Sequence, residues 1–193
     1  RSILDGLQLQ NTTAYANALW GIGLIYYEKQ NYDEALRYYT SAERTMVNLR
    51  MQNTAAYANL IMNVGIVQER LNRLDEAMQY YNRCKSIYEN LNLQNTLNFG
   101  NLLMNMGLVY QRQNNNRQAL QYFFSSKTLF ERLRVQNSQS YANALYNIAY
   151  TYDVQGQRDQ AVQYYRSAAD VYGNLNIRDW EQRARNRIRE LGN

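Results

Sequence analysis

The block NTTAYANALWGIGLIYYEKQNYDEALRYYTSAERTMVNLRMQ, residues 11–52, decides the architecture, because its frame returns three more times. Gln-Asn-Thr stands at 10–12, 52–54 and 94–96, and Gln-Asn-Ser at 136–138, each step being 42 residues. Tyr15, Tyr57, Phe99 and Tyr141 share a column, followed two residues later by Asn17, Asn59, Asn101 and Asn143. Gly23, Gly65, Gly107 and Ala149 form a small-residue column, and Ala35, Ala77, Ala119 and Ala161 are identical. So are Tyr38, Tyr80, Tyr122 and Tyr164, and each block closes on a leucine: Leu49, Leu91, Leu133 and Leu175. Self-similarity at a fixed period marks a tandem repeat chain, with blocks at 11–52, 53–94, 95–136 and 137–178.

Within a block the apolar spacing is helical. Leu19, Ile22, Gly23 and Tyr26 follow the i, i+3, i+4, i+7 rhythm of one buried helix face. A polar break at Gln30-Asn31 follows, then a second stripe of Ala35, Tyr39, Ala42, Met46 and Leu49. Thr12, Thr54, Thr96 and Ser138 stand where a hydroxyl can accept from the free amides of a first turn. The spacing predicts a helical hairpin over residues 12–29 and 33–49 of the first block, repeated in the others. A lone hairpin cannot bury its apolar side, so neighbours must stack.

Composition agrees. The 193 residues include no proline, no histidine and only 9 glycines, so the residues that punctuate β-turns are scarce. Asn and Gln together supply 43 residues and Tyr 19. No apolar run approaches the ~18 residues of a membrane span. Without histidine the commonest general base and metal ligand are missing, and the single Cys84 rules out an internal disulfide or a cysteine zinc site. The chain therefore reads as non-catalytic, with no cofactor or metal expected. The net charge of +5 does not form a basic stripe. Block 95–136 holds Arg112, Arg117, Lys127, Arg132 and Arg134 against Glu131 alone, while the other three blocks balance. That is a poor match to a nucleic-acid footprint, and neither nucleic acid nor membrane is an expected partner.

The columns resemble the tetratricopeptide repeat. The residues that carry the likeness are Leu19, Ile22-Gly23, Tyr26, Ala35, Tyr39 and Ala42, with their counterparts 42, 84 and 126 residues on. The turn Asn31-Tyr32-Asp33-Glu34-Ala35 is similar to the family's hairpin turn. Gln68 departs from the family's aromatic, and the closing proline is absent. The long period is similar to the subclass found in kinesin light chains and bacterial signal-peptide receptors. The resemblance implies an all-α, right-handed superhelical solenoid of antiparallel helix pairs, with four full repeats over 11–178. Residues 179–193 align with the opening of a fifth block. There Trp180, Ala184, Ile188 and Leu191 make an apolar stripe among arginines, which reads as a C-terminal capping helix. Residues 1–10 align with 43–52, the end of a partial preceding helix.

The resemblance further implies a concave wall of first helices that binds a protein or peptide segment. Carried over by position, that groove is lined by Asn17, Asn59, Asn101 and Asn143, then by Trp20, Met62, Met104 and Tyr146. Asn63, Asn105 and Asn147 stand beside them, in a column where the family often uses Asn for its own packing. Leu24, Ile66, Leu108 and Tyr150 lie a further turn along, and Arg70 and Arg112 near the helix ends are candidate clamps for an acidic group. An Asn amide donates and accepts at once, matching an extended peptide backbone. With helices roughly 8–10 Å apart and a strand rising about 3.3 Å per residue, one rung meets about every third peptide residue. No block supplies the family's full Lys/Arg-Asn carboxylate clamp. Two functions from different classes stay open: a scaffold holding an extended segment in this groove, or a self-assembling protein stacking head to tail through its solenoid ends into a homo-oligomer or filament.

Overall fold

A computed structural model describes residues 11–192; the expected partial helix over 1–10 lies outside the described residues. They divide into two compact units, one ending at Gln94 and the other beginning at Asn95, between the second block and the third. The first unit holds α1 (Thr13–Glu28), α2 (Tyr32–Asn48), α3 (Ala55–Arg70) and α4 (Leu74–Asn90). The second holds α5 (Leu97–Arg112), α6 (Asn116–Arg132), α7 (Gln139–Val154), α8 (Arg158–Asn174) and α9 (Arg178–Gly192). The chain is an all-α repeat solenoid, and within each unit antiparallel hairpins stack side by side.

Each first helix begins at its expected cap. The hydroxyls of Thr12, Thr54, Thr96 and Ser138 accept from the backbone N–H of Tyr15, Tyr57, Phe99 and Tyr141 at 3.2–3.3 Å. Each such cap contributes about 1 kcal/mol. Second helices are capped less evenly: Asn31 and Asn115 accept from Glu34 and Gln118, whereas Arg73 and Gln157 make no side-chain cap.

The helices stop without proline because one residue after each turns left-handed. Gln30, Asn72, Asn114 and Gly156 close the four first helices, and Arg50, Asn92, Arg134 and Asn176 the four second ones, with φ between 56° and 73°. The next residue's N–H then reaches back to a carbonyl in the last turn, as Asn31 does to Tyr26 at 2.9 Å and Leu93 to Tyr88 at 2.8 Å. Asparagine tolerates this region better than most residues, which accounts for part of the chain's asparagine excess.

Inside each hairpin a large ring sits on a glycine or alanine. A Cβ on Gly65 would stand 2.5 Å from Tyr81, and one on Gly107 would stand 2.6 Å from Phe123. The absent side chain lets the two helices close over the ring, which is fully buried in both cases. Neighbouring hairpins are joined by polar pins at their edges. In the first unit Glu43 accepts from the Tyr57 hydroxyl and from Arg83, both at 3.0 Å, and from the Tyr80 hydroxyl at 3.4 Å. In the second, Glu131 accepts from Tyr141 at 2.9 Å and from Lys127 at 2.8 Å, and Phe124 packs edge-on against Tyr152 and Tyr164. Burial, with help from the neighbouring carboxylate, pushes the Tyr57 and Tyr141 hydroxyls up to about 12. Cys84 is fully buried, and burial raises its thiol to about 12, so it is a packing residue.

Candidate functional site

The first helices present the candidate face, and the structure divides its asparagines into two groups. Asn59 and Asn143 turn their carbonyl oxygens inward. The Tyr88 hydroxyl donates to Asn59 Oδ1 at 2.5 Å and the Tyr172 hydroxyl to Asn143 Oδ1 at 2.6 Å. Each tyrosine comes from the second helix of the same hairpin as its asparagine, so in the second and fourth blocks this column ties the hairpin to itself. In the third block the position is Phe130, which has no hydroxyl, and Asn101 Oδ1 is buried without a partner. In the first it is Met46, and Asn17 is exposed.

Asn63, Asn105 and Asn147, one turn further, are half-buried. Among the described residues, none of these three amides has a side-chain hydrogen-bond partner. Asn63 lines a shallow depression with Leu24, Tyr27 and Ile66, where α1 and α3 run side by side. In the second unit α5 and α7 are joined at the same level. Gln111 Nε2 donates to Thr151 Oγ1 at 2.7 Å, and that hydroxyl donates to the backbone carbonyl of Asn147 at 2.7 Å.

The aromatic and methionine column is placed differently from block to block. Met104 is buried in a core cluster with Phe123, Ala144 and Ile148. Tyr146 is wedged edge-on between Tyr165 and Trp180, with ring centroids 5.2 and 5.1 Å away. Trp20 and Met62 are half-buried, and the Trp20 Nε1 is enclosed without a partner. Arg70 is exposed at the end of α3, where burial lowers the pKa of its guanidinium but the nearby Tyr27 and Glu69 outweigh that and raise it. Arg112 is exposed at the matching place on α5.

Two features of this face escape a reading of the sequence. Ile25 on α1 and Val154 on α7 are more than half exposed, beside Leu24 and Tyr150 at over 40%. Leu24 leaves apolar surface beside Asn63 in the first unit, and Tyr150 and Val154 follow Asn147 by one and two turns of α7 in the second. Beneath this face run carboxylate pins: the Tyr81 hydroxyl donates to Glu69 at 3.3 Å and the Tyr165 hydroxyl to Asp153 at 3.2 Å. Burial, reinforced by the acid, holds the Tyr81 hydroxyl well above its usual range. The signal was present in register: acids stand at 69 and 153 where the partner is Tyr81 or Tyr165, and Gln111 stands where it is Phe123. Asp153 also accepts from two guanidinium nitrogens of Arg187 at 2.5 and 2.9 Å, which fastens α9 to α7. No group of three or more Cys, Asp or Glu residues suited to a metal ion occurs among the described residues.

The chain matches the family model of the tetratricopeptide repeat over residues 14–90 and 98–174. No curated protein matches it in sequence. Among solved structures it is similar to BtubC (BKLC) from P. vanneervenii, with a TM-score of 0.68 and 15% identity over 93% of this chain and 80% of that one. It is also similar to aspartyl phosphate phosphatase F from Bacillus subtilis, with a TM-score of 0.80 and 17% identity over 97% of this chain and 48% of that one. A Rap protein complexed with competence and sporulation factor gives a TM-score of 0.77 and 17% identity, over 90% of this chain and 47% of that one. The chain thus spans about half the length of these last two, and at such identities the likeness is one of fold. With two matched stretches covering most of its length and four helix hairpins in one register, the chain belongs to the tetratricopeptide repeat family.

Proposed function

We propose that this chain, a protein-interaction scaffold by its family, holds an extended segment of a partner protein along the first-helix faces of its units and performs no chemistry on it. The observation that carries the reading is the three half-buried, unpartnered amides of Asn63, Asn105 and Asn147 beside exposed apolar side chains. An amide held by its helix offers a donor and an acceptor to a peptide backbone without needing a given side chain there. Leu24, Tyr150 and Val154 would supply selectivity for apolar residues. The Rap protein complexed with competence and sporulation factor supports the reading by analogy of fold.

Asn63, Asn105 and Asn147 carry this reading better than the Asn17 column, because two of that column's carbonyl oxygens already accept from tyrosines. The test selects extended peptides from a display library on the wild-type chain and titrates the best of them against Asn63→Ala and Asn105→Ala/Asn147→Ala, one variant for each unit. At about 1 kcal/mol for each lost bond, affinity falls roughly fivefold for the first unit and roughly thirtyfold for the second while helicity and Tm stay put. Unchanged affinity in both variants refutes the reading.

A further inference from the structure

A second surface, in the second unit, is built to receive a helix. Between α8 and α9 lies an open groove of about 590 Å³, floored by Ala169 and Ile188 and flanked by Arg166, Arg185 and Arg189, with Asp170 at its edge. Its walls can be compared with the same columns in earlier blocks, where the seat is filled. Ala169 occupies the column of Glu43, which holds Tyr80 and Arg83 of the next second helix. Arg166 occupies the column of Phe124, which packs on Tyr164 of the next second helix with centroids 5.8 Å apart. On the other wall, Arg185 aligns with Asn143, which binds Tyr172 of its own second helix. Ile188 aligns with Tyr146, which packs against Tyr165 of that same helix. In each of these columns at least one other block seats a second helix, so the groove between α8 and α9 stands where a second helix would pack.

Its chemistry differs from the seats that are filled. Tyr146 and Asn143 are replaced by an aliphatic residue and an arginine, and Phe124 by an arginine. Arg166 has no partner among the described residues. Arg189 bonds only the neutral Asn186, and Arg185 is met by Glu181 at 2.9 Å and by Asp170 at 4.0 Å. Arg166 and Arg189, two guanidiniums without an acid beside an apolar floor, call for carboxylates flanking an apolar stripe, and arginine is suited to bidentate pairing with them. A second copy is a poor complement: no described helix of this chain carries more than one net negative charge. We propose that the α8/α9 groove docks an acidic amphipathic helix of a partner protein, lying where the second helix of a further hairpin would lie.

The experiment selects from a displayed library of helical peptides about the length of α9, with wild-type chain as bait and Arg166→Glu/Arg189→Glu as counter-selection. Both arginines are exposed, so the double variant keeps its fold, and its far-ultraviolet dichroism checks this. The expected winners carry a surplus of Asp and Glu flanking an i, i+3/i+4 apolar stripe. They bind the variant at least tenfold more weakly and weaken as salt rises. Replacing their acids with lysine restores binding to the variant and abolishes it to wild type. Winners without acidic bias, none surviving counter-selection, or equal affinity for both proteins would each overturn the proposal. So would sedimentation showing wild-type chain self-associating through this groove and the variant monomeric, since the occupant would then be a second copy.

Discussion

Phe130→Tyr should stabilise the protein, and the repeats state why. In the second and fourth blocks a tyrosine hydroxyl satisfies the asparagine carbonyl at 2.5 and 2.6 Å. In the third, the same asparagine atom is buried with nothing to accept from, because the ring opposite is phenylalanine. A buried acceptor left without a donor costs about 1–3 kcal/mol, and a new neutral hydrogen bond is worth about 1 kcal/mol net. Asn101 is only half-buried as a residue, so water relieves part of the penalty. A gain of about 1.5 kcal/mol results, raising Tm by roughly 3–6 °C for a chain of this size. The ring of Phe130 leans over Gly100, where a Cβ would lie 2.4 Å from it, while the other blocks have alanine there. The substituted side chain must therefore keep the ring where Phe130 holds it and extend only the hydroxyl. Gly100→Ala alone should destabilise by about 1–3 kcal/mol through overpacking. Urea unfolding of wild type, Phe130→Tyr, Tyr88→Phe and Tyr172→Phe measures both directions, with each tyrosine deletion costing about 1–2 kcal/mol. A neutral or destabilised Phe130→Tyr, alongside costly tyrosine deletions, would refute the claim that a hydroxyl at this position can satisfy the Asn101 carbonyl oxygen.

Three further outcomes are expected. Gln30→Gly, Arg50→Gly and Arg134→Gly each relieve a left-handed residue near φ 58°, and stability from denaturant unfolding should rise by about 0.5–1 kcal/mol apiece. Gly156→Ala, at φ 73°, should lose about 1 kcal/mol in the same assay. Raising pH tests the pinned tyrosines. The Tyr57 and Tyr141 hydroxyls titrate at about 12 in the folded chain, against about 10 unfolded. The stability they contribute is therefore complete below pH 10 and lost as pH rises toward 12. Tyr57→Phe/Tyr141→Phe should flatten that fall, read as chemical-denaturation stability against pH. Asp153→Asn breaks the paired bonds to Arg187 and weakens the one from Tyr165. Because Arg187 is partly exposed, the cost is about 1–2 kcal/mol, and hydrogen exchange should speed in α9 ahead of the other helices.

The parts of the fold legible in the sequence are those written in neighbouring residues. The hairpin expected at 12–29 and 33–49 appears as Thr13–Glu28 and Tyr32–Asn48, and the four cap hydroxyls sit where the apolar rhythm begins. The small-residue column meets a ring in the structure, and Cys84 is core. Less legible was which side of a first helix each asparagine serves. Asn59 and Asn63 are one turn apart and share a face by periodicity, yet one accepts from Tyr88 and the other lines a surface depression. A rotation of the helix by a fraction of a turn decides that, and spacing does not record it.

The period, the helices, their caps and the family were all set by residue order alone, because caps and apolar stripes act within one turn and repeat in register four times. The pairings between helices came from tertiary packing. It matched tyrosine hydroxyls to Asn59 and Asn143, left Asn101 without one, pinned α9 through Asp153, and placed three arginines around a seat that no described helix fills. Those pairings depend on how packed helices rotate and cross, which is set by the fit of side chains across the interface and not by their order along the chain.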